Sequence, residues 1–179
     1  MDLYLLAVLP PEPVLGQVWA LKQEVHARTG SRNAIRLPPH ITLLPPTRQP
    51  PGFEEAACAA LQEFAATRTT FAVGLHDFAW FGNRTLFVQV VQETALREMH
   101  AALLQWCARL LPAIRPEKRP FTPHMTLATR DLPPPLVPAL QQEFAQRHYT
   151  NSFPVSALRL FRHNGQQWES IREFLFREK

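Results

Sequence analysis

The sequence predicts an α+β fold: two internally duplicated lobes, each with an antiparallel sheet and helices, on either side of a cleft. Three observations predict it. Helical segments are interspersed with hairpins instead of alternating strictly with single strands, which argues against a doubly wound parallel sheet. One five-residue pattern occurs once in each half of the chain. No low-complexity linker separates the halves, so residues 1–179, 46% of them hydrophobic, are expected to form a single domain.

The first half begins with a buried strand and continues through a helix, a short strand, a second helix and a hairpin. The first helix has apolar residues at helical spacing, Val14, Val18, Leu21 and Val25, and Gly30 follows its end. The predicted ranges are 3–9 (strand), 13–29 (helix), 40–44 (strand), 45–52 (turn), 53–67 (helix), and 71–81 with 84–91 (hairpin).

The second half repeats this order. A helix rich in alanine and leucine precedes a loop, a short strand and another helix. A final hairpin is expected to turn at the Asn-Gly pair of residues 164–165. The predicted ranges are 93–111 (helix), 112–122 (loop), 124–129 (strand), 133–148 (helix), and 153–162 with 167–176 (hairpin). The repetition predicts one motif in each of two related lobes.

Composition narrows the classes of function. A formal net charge of +4 and a sequence pI near 9.6 suit an anionic partner such as RNA or a nucleotide, although many proteins are equally basic. Cys58 and Cys107 lie far apart, so we expect two reduced thiols and a cytoplasmic protein. The N-terminal apolar run is too short to span a membrane. We expect a monomer without membrane association.

The repeated pattern carries the chemistry. Residues 39–43 read Pro-His-Ile-Thr-Leu, and residues 123–127 read Pro-His-Met-Thr-Leu. Because successive side chains of a strand point to opposite faces, each histidine shares a face with the threonine two residues later. If an approximate two-fold axis relates the halves, His40, Thr42, His124 and Thr126 line one cleft.

Two imidazoles and two hydroxyls suit acid–base chemistry on a phosphodiester. Imidazole has an ordinary pKa of about 6.5, so one neutral histidine can accept a proton while a protonated one donates to the leaving oxygen. The threonine hydroxyls can donate to the non-bridging phosphate oxygens as charge develops. A single His-x-Thr is common in ordinary strands, but two copies, one in each half, favour a catalytic pair that needs neither metal nor cofactor.

With these two motifs, the sequence resembles the 2H phosphoesterase superfamily, and within it the 2′-5′ RNA ligases, also described as RNA 2′,3′-cyclic phosphodiesterases. The resemblance covers essentially the whole chain. It implies that His40 and His124 are the acid–base residues and that Thr42 and Thr126 bind phosphate. The implied reaction opens a 2′,3′-cyclic phosphate to a 2′-phosphate, and the related reaction joins RNA ends through a 2′-5′ bond without ATP. The implied substrate is RNA or a nucleotide that ends in a 2′,3′-cyclic phosphate.

Several other residues are candidates for RNA contacts. Arg130 shares the face of His124 by strand alternation, unless a bulge intervenes, and is otherwise a solvated arginine at a strand end. Arg119 lies in the loop before the second motif and could contact RNA. Tyr4 and Phe87 could stack on a base, although core packing suits Phe87 better. The remaining loop cations, which are equally consistent with ordinary surface charges, are Arg32, Arg36 and Lys118.

Two competing functions remain open. The chain could be a non-catalytic module that binds RNA or a nucleotide in the same cleft. It could also be a metal-dependent hydrolase that uses His76 and Asp77, although no neighbouring spacing supports a metal site. Turnover of a 2′,3′-cyclic substrate, measured with and without a chelator, would separate all three: turnover in both, in neither, or only without the chelator.

Overall fold

The structure, a computed structural model, describes residues 1–115, 117 and 119–177. Their secondary structure is α+β, as predicted. The four helices are α1 Val14–Thr29, α2 Phe53–Ala66, α3 Thr94–Leu110 and α4 Val137–Phe144. The eight strands are β1 Asp2–Val8, β2 Ile41–Gln49, β3 Phe71–Phe81, β4 Thr85–Val91, β5 His124–Thr129, β6 Thr150–Val155, β7 Ala157–His163 and β8 Trp168–Leu175. Short 3-10 turns lie at Arg32–Ala34 and Pro134–Leu136.

The eight strands form one sheet in the order β6-β3-β4-β5-β2-β1-β7-β8, with antiparallel neighbours throughout. Extensive ladders join the strands within β6-β3-β4-β5 and within β2-β1-β7-β8. Between these two half-sheets, β5 and β2 share a single registered pair, Ile41 with Met125. We call this junction the seam. The two strands that carry the repeated motif therefore lie side by side at the centre of the sheet.

The buried face of helix α1 differs from the prediction at one residue. The buried residues are Val14, Val18, Lys22 and Val25, whereas Leu21 is half-buried. The spacing of four residues from Val18 places Lys22, not Leu21, in line with the valines. Gly30 ends the helix in a left-handed conformation, φ 71°, and its N–H donates to the His26 carbonyl oxygen at 2.7 Å.

The predicted turn at residues 45–52 is wrong in its first part, because β2 continues to Gln49. Leu6 of β1 pairs with Leu44 and Tyr4 pairs with Thr47, so the ladder passes over Pro45 and Pro46 at an irregularity. Proline has no N–H to give to a ladder, and a bulge is where a strand tolerates it.

The predicted strand 153–162 is two strands. β6 pairs with β3 at one edge of the sheet, and β7 pairs with β1 in the other half-sheet, so the chain crosses from one half to the other near Ser156. The hairpin of β7 and β8 forms around residues 164–165, as predicted. The predicted helix 133–148 is shorter than expected and consists of a 3-10 turn followed by α4.

The main hydrophobic core lies between the helices and one face of the sheet. It includes Ile41 and Met125 from the seam, both 0% exposed, and Leu103 of α3. A smaller cluster, Leu5, Ala7 and Phe161, is separate from it. Both cysteines are free thiols. No helix in the described ranges combines the length and apolar character needed to cross a membrane.

Candidate active site

The seam brings four predicted site residues together. Ile41 pairs with Met125 in an antiparallel register. Continued by one residue in each direction, this register sets His40 opposite Thr126 and Thr42 opposite His124. Directly opposite residues of neighbouring strands share a face, with Cβ atoms about 5 Å apart. The four polar side chains are half-buried, while Ile41 and Met125 between them are fully buried.

The two histidines are held in the same way. Nδ1 of His40 lies 2.7 Å from the carbonyl oxygen of Pro38, and Nδ1 of His124 lies 2.7 Å from that of Thr122. A carbonyl oxygen only accepts, so each Nδ1 carries hydrogen and donates. In the neutral ring Nε2 is then the unprotonated nitrogen, free to accept a proton. Each motif thus orients its own imidazole through the carbonyl two residues earlier.

Each motif strand also contains a bulge at its leucine. Ala7 pairs with Thr42 and Leu6 with Leu44, which leaves Leu43 as the extra residue of β2. In the same way Phe87 pairs with Thr126 and Leu86 with Ala128, which leaves Leu127 as the extra residue of β5. The equivalent position of both bulges extends the repeat from sequence to backbone geometry.

The second bulge corrects the expectation for Arg130. The ladder pairs Gln89 with His124 and Thr85 with Thr129, so Thr129 takes the place on the histidine face that uninterrupted alternation gives to Arg130. The hydroxyls of Thr129 and Thr85 lie 2.7 Å apart. Arg130 follows the end of β5 in a left-handed conformation, φ 68°, and its side chain is exposed. The structure therefore places Arg130 outside the face formed by the four motif residues.

Aromatic rings surround His124. The Phe81 ring centroid lies 4.8 Å from that of His124 in an edge-on arrangement, and the Phe87 centroid lies 5.3 Å away. Phe87 is 7% exposed and serves packing, whereas Phe81 is 41% exposed. Burial lowers the pKa of His124, and the hydrogen bond to the Thr122 carbonyl acts against that shift.

His40 has a more positive neighbourhood. Burial, followed by the charge of Lys22, lowers the pKa of His40 to about 4, and the hydrogen bond to the Pro38 carbonyl opposes both. His124 contributes a smaller effect in the same direction as Lys22. The neutral, proton-accepting form of His40 therefore dominates at neutral pH.

Two helices donate side-chain hydrogen bonds to the motif strands, and neither donor was predicted from the sequence. Nζ of Lys22 donates to the carbonyl oxygen of Thr126 at 3.1 Å. Nε2 of His100 on α3 lies 3.0 Å from the carbonyl oxygen of Leu43, and its ring stacks on Phe121 with centroids 3.8 Å apart. The helical spacing of Lys22 with the valines was a usable signal. Nothing in the sequence around His100 indicates this contact.

The remaining candidates lie apart from the four motif residues. Tyr4 is 7% exposed, its hydroxyl donates to Glu54 at 3.1 Å, and it pairs with Thr47 rather than with a motif residue. Its buried ring offers no face for stacking on a base. Arg119 is exposed and pairs with Glu117 at 3.2 Å. Arg32 and Arg36 are also exposed, and Lys118 lies outside the described residues.

His76 and Asp77 contact each other and residues next to β6. Oδ2 of Asp77 lies 3.5 Å from Nε2 of His76 and 3.3 Å from Nδ1 of His148, and Oδ1 accepts the N–H of Tyr149 at 2.9 Å. In the described part of the chain, no group of three or more His, Cys, Asp or Glu residues is arranged to hold a metal ion. Asp77 lies within β3, at an irregularity of the ladder with β4, where φ is 52° and its N–H donates to the Tyr149 carbonyl oxygen.

The fold and the paired motifs define a 2H phosphoesterase. The family model of the 2′-5′ RNA ligase superfamily matches residues 10–167, and the chain therefore belongs to that superfamily. An RNA 2′,3′-cyclic phosphodiesterase from Geobacillus stearothermophilus is 35% identical over 95 residues, which cover 51% of this chain and 30% of that protein.

Solved structures share the fold over the whole chain. The crystal structure of TT0787 from Thermus thermophilus gives a TM-score of 0.74 at 24% sequence identity and covers 100% of both chains. The crystal structure of E. coli LigT complexed with 3′-AMP gives 0.64 at 18% identity and covers 99% of both chains. At these identities the likeness establishes the α+β architecture and the curled antiparallel sheet.

Proposed function

We propose that this protein is a metal-independent RNA 2′,3′-cyclic phosphodiesterase that yields a 2′-phosphate and also joins RNA ends through a 2′-5′ bond without ATP. The observation that carries the proposal is the registered pair of Ile41 with Met125 at the seam, whose continuation sets each histidine opposite the threonine of the other motif. Membership of the 2′-5′ RNA ligase superfamily supports the same chemistry. We further propose that the chain is a single domain of two related lobes, each carrying one motif.

In hydrolysis, one histidine acts as base and the other as acid. The base takes a proton from water through Nε2 as the water oxygen attacks phosphorus. The bond from phosphorus to the ribose 3′-oxygen breaks, and the protonated histidine gives its proton to that oxygen. The phosphate stays on the 2′-oxygen. Thr42 and Thr126 donate to the non-bridging oxygens, which carry more negative charge in the transition state than in the substrate.

Ligation uses the same groups. The 5′-hydroxyl of a second RNA end replaces water as the nucleophile, and the base histidine removes its proton. The 3′-oxygen again leaves with a proton from the acid. The new linkage is a 2′-5′ phosphodiester, and the strain of the cyclic phosphate drives the step in place of ATP.

The test is product analysis on an RNA that ends in a 2′,3′-cyclic phosphate, with chelator present and ATP absent. We expect the wild-type protein to form the 2′-phosphate, with ligated product when a 5′-hydroxyl RNA is added. His40→Ala and His124→Ala should each lose at least about a hundredfold in rate. His148→Ala, which changes an exposed histidine away from the seam, is the matched control and should keep full activity.

Three results would contradict the proposal. Full activity in both seam-histidine variants would remove the acid–base pair. A 3′-phosphate product would overturn the assignment of the leaving oxygen. Tight binding without turnover would favour the non-catalytic RNA-binding module instead.

A further inference from the structure

Lys22 is a buried charge that the proposed reaction has not yet used. It is 1% exposed and is the one charged side chain in the buried class among residues 1–115, 117 and 119–177. Its neighbours in the α1 stripe are valines. Burying an ammonium group away from water is strongly unfavourable unless partners replace its lost hydration. Within the described chain Nζ bonds to a backbone carbonyl and to no carboxylate, so stability alone is a poor reason for a lysine at this position.

The one bond that Lys22 makes in the described chain leads to the seam. Nζ donates to the carbonyl oxygen of Thr126 at 3.1 Å. Thr126 follows Met125, whose pairing with Ile41 is the only registered pair between β5 and β2 among the described residues. By continuation of that register, Thr126 lies opposite His40. The helix α1 therefore places a cation beneath the point where His40 and Thr126 meet.

We propose that Lys22 is a positioning residue of this active site: it holds the Thr126 carbonyl at the seam, and its charge makes His40 the proton acceptor and His124 the proton donor. The inference rests on the proposed phosphodiesterase function and deepens it. Lys22 does not touch the substrate. It acts through the backbone of one motif and through the electrostatic field at the histidine of the other.

The two histidines are equivalent in their place in the repeat and in the hydrogen bond of Nδ1. Both donate from Nδ1 to a carbonyl oxygen two residues earlier, at 2.7 Å. Neither feature gives a reason for one to be base and the other acid. A cation beside one ring disfavours its protonated form, and Lys22 acts on His40.

Lys22 lowers the pKa of His40 and is not among the causes of the shift at His124. The pKa of His40 falls to about 4, with burial as the first cause and Lys22 as the second. The pKa of His124 is lowered by burial. Burial also lowers the pKa of Lys22 itself to about 8, so Lys22 is still mostly charged at neutral pH. When a single proton is shared by the pair, His124 is therefore its better site.

Other charged groups around α1 are paired among themselves or exposed. Glu24 and Arg28 of α1 pair with Arg147 and Glu143 beyond α1, and Arg32 in the adjacent 3-10 turn is exposed. The strand β6, which also packs near α1, contains no Asp, Glu, Lys or Arg. The titratable groups that face Lys22 are His40, at the start of β2, and, beyond it, His124 at the start of β5.

In the assigned step, Nε2 of His40 takes the proton of the attacking water as its oxygen forms the bond to phosphorus. The bond from phosphorus to the 3′-oxygen breaks, and the proton on Nε2 of His124 passes to that oxygen. After the step His40 holds the extra proton and His124 is neutral. A proton exchange through solvent resets the pair.

The experiment compares Lys22→Met with Lys22→Arg and with Leu21→Met, a matched control for methionine one position earlier on the same helix. For Lys22→Met we expect kcat to fall about tenfold, KM to stay within about twofold, and the acid limb of the kcat/KM profile to move to higher pH. Lys22→Arg keeps the charge and should keep the acid limb. Leu21→Met should match the wild-type profile.

An imidazole titration by NMR provides a readout that needs no turnover. In the wild-type protein His40 should titrate at lower pH than His124. In Lys22→Met the His40 titration should rise while that of His124 changes less. A lowered kcat with an unmoved acid limb and an unmoved His40 titration would reduce Lys22 to a structural residue and overturn the proposal.

The two proposals fail in different ways. Absence of wild-type turnover would remove the phosphodiesterase function, whatever Lys22 does. If wild-type turnover is present but His40 titrates above His124 in the wild-type protein, the assignment through Lys22 falls even if Lys22→Met does not fold.

Discussion

At the scale of single residues, the candidate site contains two imidazoles whose Nδ1 atoms donate to carbonyl oxygens of their own motif segments. His40 and His124 each donate to the carbonyl oxygen two residues earlier, so the ring is oriented without help from a distant carboxylate. A carboxylate partner would stabilise the protonated ring and raise its pKa. A neutral carbonyl does so only weakly, and burial dominates at both histidines.

The first prediction concerns the pH profile of kcat/KM. The free protein needs one histidine neutral and the other protonated, and both pKa values lie below the ordinary imidazole value. The bell-shaped profile should therefore have its maximum below about pH 6.5, and activity should decline between about pH 7 and 8. Initial rates on a cyclic mononucleotide would measure it. A maximum above about pH 8 would exclude these two groups as the titrating pair.

The second prediction separates the motif threonines from a nearby hydroxyl. Thr42→Val and Thr126→Val keep the side-chain shape and remove the donor, so each should raise the barrier of the chemical step by about 2–4 kcal/mol. Thr129→Val is the matched control, because Thr129 lies on the same face but its hydroxyl is paired with that of Thr85. Single-turnover rates measure the difference. Equal losses of rate in all three variants would show that the substitutions disturb the fold instead of removing a bond to phosphate.

The third prediction is acid sensitivity of folding. The pKa of His40 is about 4 in the folded chain and about 6.5 in the unfolded chain, so below about pH 6.5 the unfolded chain binds a proton that the folded chain excludes. The contribution of His40 to the free energy of unfolding is complete above about pH 6.5 and falls by about 2–3 kcal/mol by about pH 4.5. Urea unfolding at these two pH values should show a smaller loss in His40→Gln. Equal losses in both proteins would contradict it.

At the scale of elements, much of the fold followed from sequence patterns. Strand β5 was predicted with its bounds, because an apolar–polar alternation bordered by Pro123 marks a strand clearly. The break between β6 and β7 could not be predicted, since Ser156 separates two equally β-like segments that differ only in their distant partners. The continuation of β2 past Pro45 depended in the same way on its ladder with β1.

The duplicated motif supplied the four residues of the candidate site, but their arrangement could not be predicted from the sequence. Their cross-pairing depends on the register of Ile41 with Met125, which is a tertiary contact. The bulges at the two motif leucines are also set by the neighbouring strands, and the second one removed Arg130 from the histidine face. The buried face of α1 was predicted with Leu21 because Leu21 is apolar, although the helical spacing favours Lys22.

The fourth prediction tests the seam as an element. Ile41→Ala should destabilise the fold by about 2–4 kcal/mol because its side chain is fully buried. It should also lower kcat, because Ile41 lies between His40 and Thr42 and its contact with Met125 holds their register. Leu103→Ala on α3 is an equally buried control away from the seam. Leu103→Ala should lose comparable stability in urea unfolding and keep its kcat below the unfolding transition. A normal kcat in Ile41→Ala would show that the register survives without it.

At the scale of the whole molecule, the strands of the two half-sheets pair with each other only at the seam in the described chain, and the motif strands form its two sides. The catalytic pair proposed here therefore belongs to neither half alone. An exposed basic residue lies near each end of the motif segments, Arg36 before β2 and Arg130 after β5, within a chain of net charge +4. Such residues can attract an extended phosphate backbone without forming part of the reacting face.

The last prediction follows from that charge distribution. An RNA oligomer brings several phosphates beyond the reacting one, whereas a cyclic mononucleotide brings none. For single strands, each phosphate that a protein cation neutralises makes the slope of log affinity against log salt concentration steeper by about 0.7. The value of kcat/KM should therefore fall more steeply with salt for the oligomer than for the mononucleotide.

Arg36→Gln combined with Arg130→Gln should reduce the oligomer's slope and leave the mononucleotide rate unchanged. Arg109→Gln on α3, where the guanidinium lies over Trp106, is the control and should keep the wild-type slope. Equal slopes for the two substrates in the wild-type protein would mean that recognition ends at the cyclic phosphate and its nucleoside.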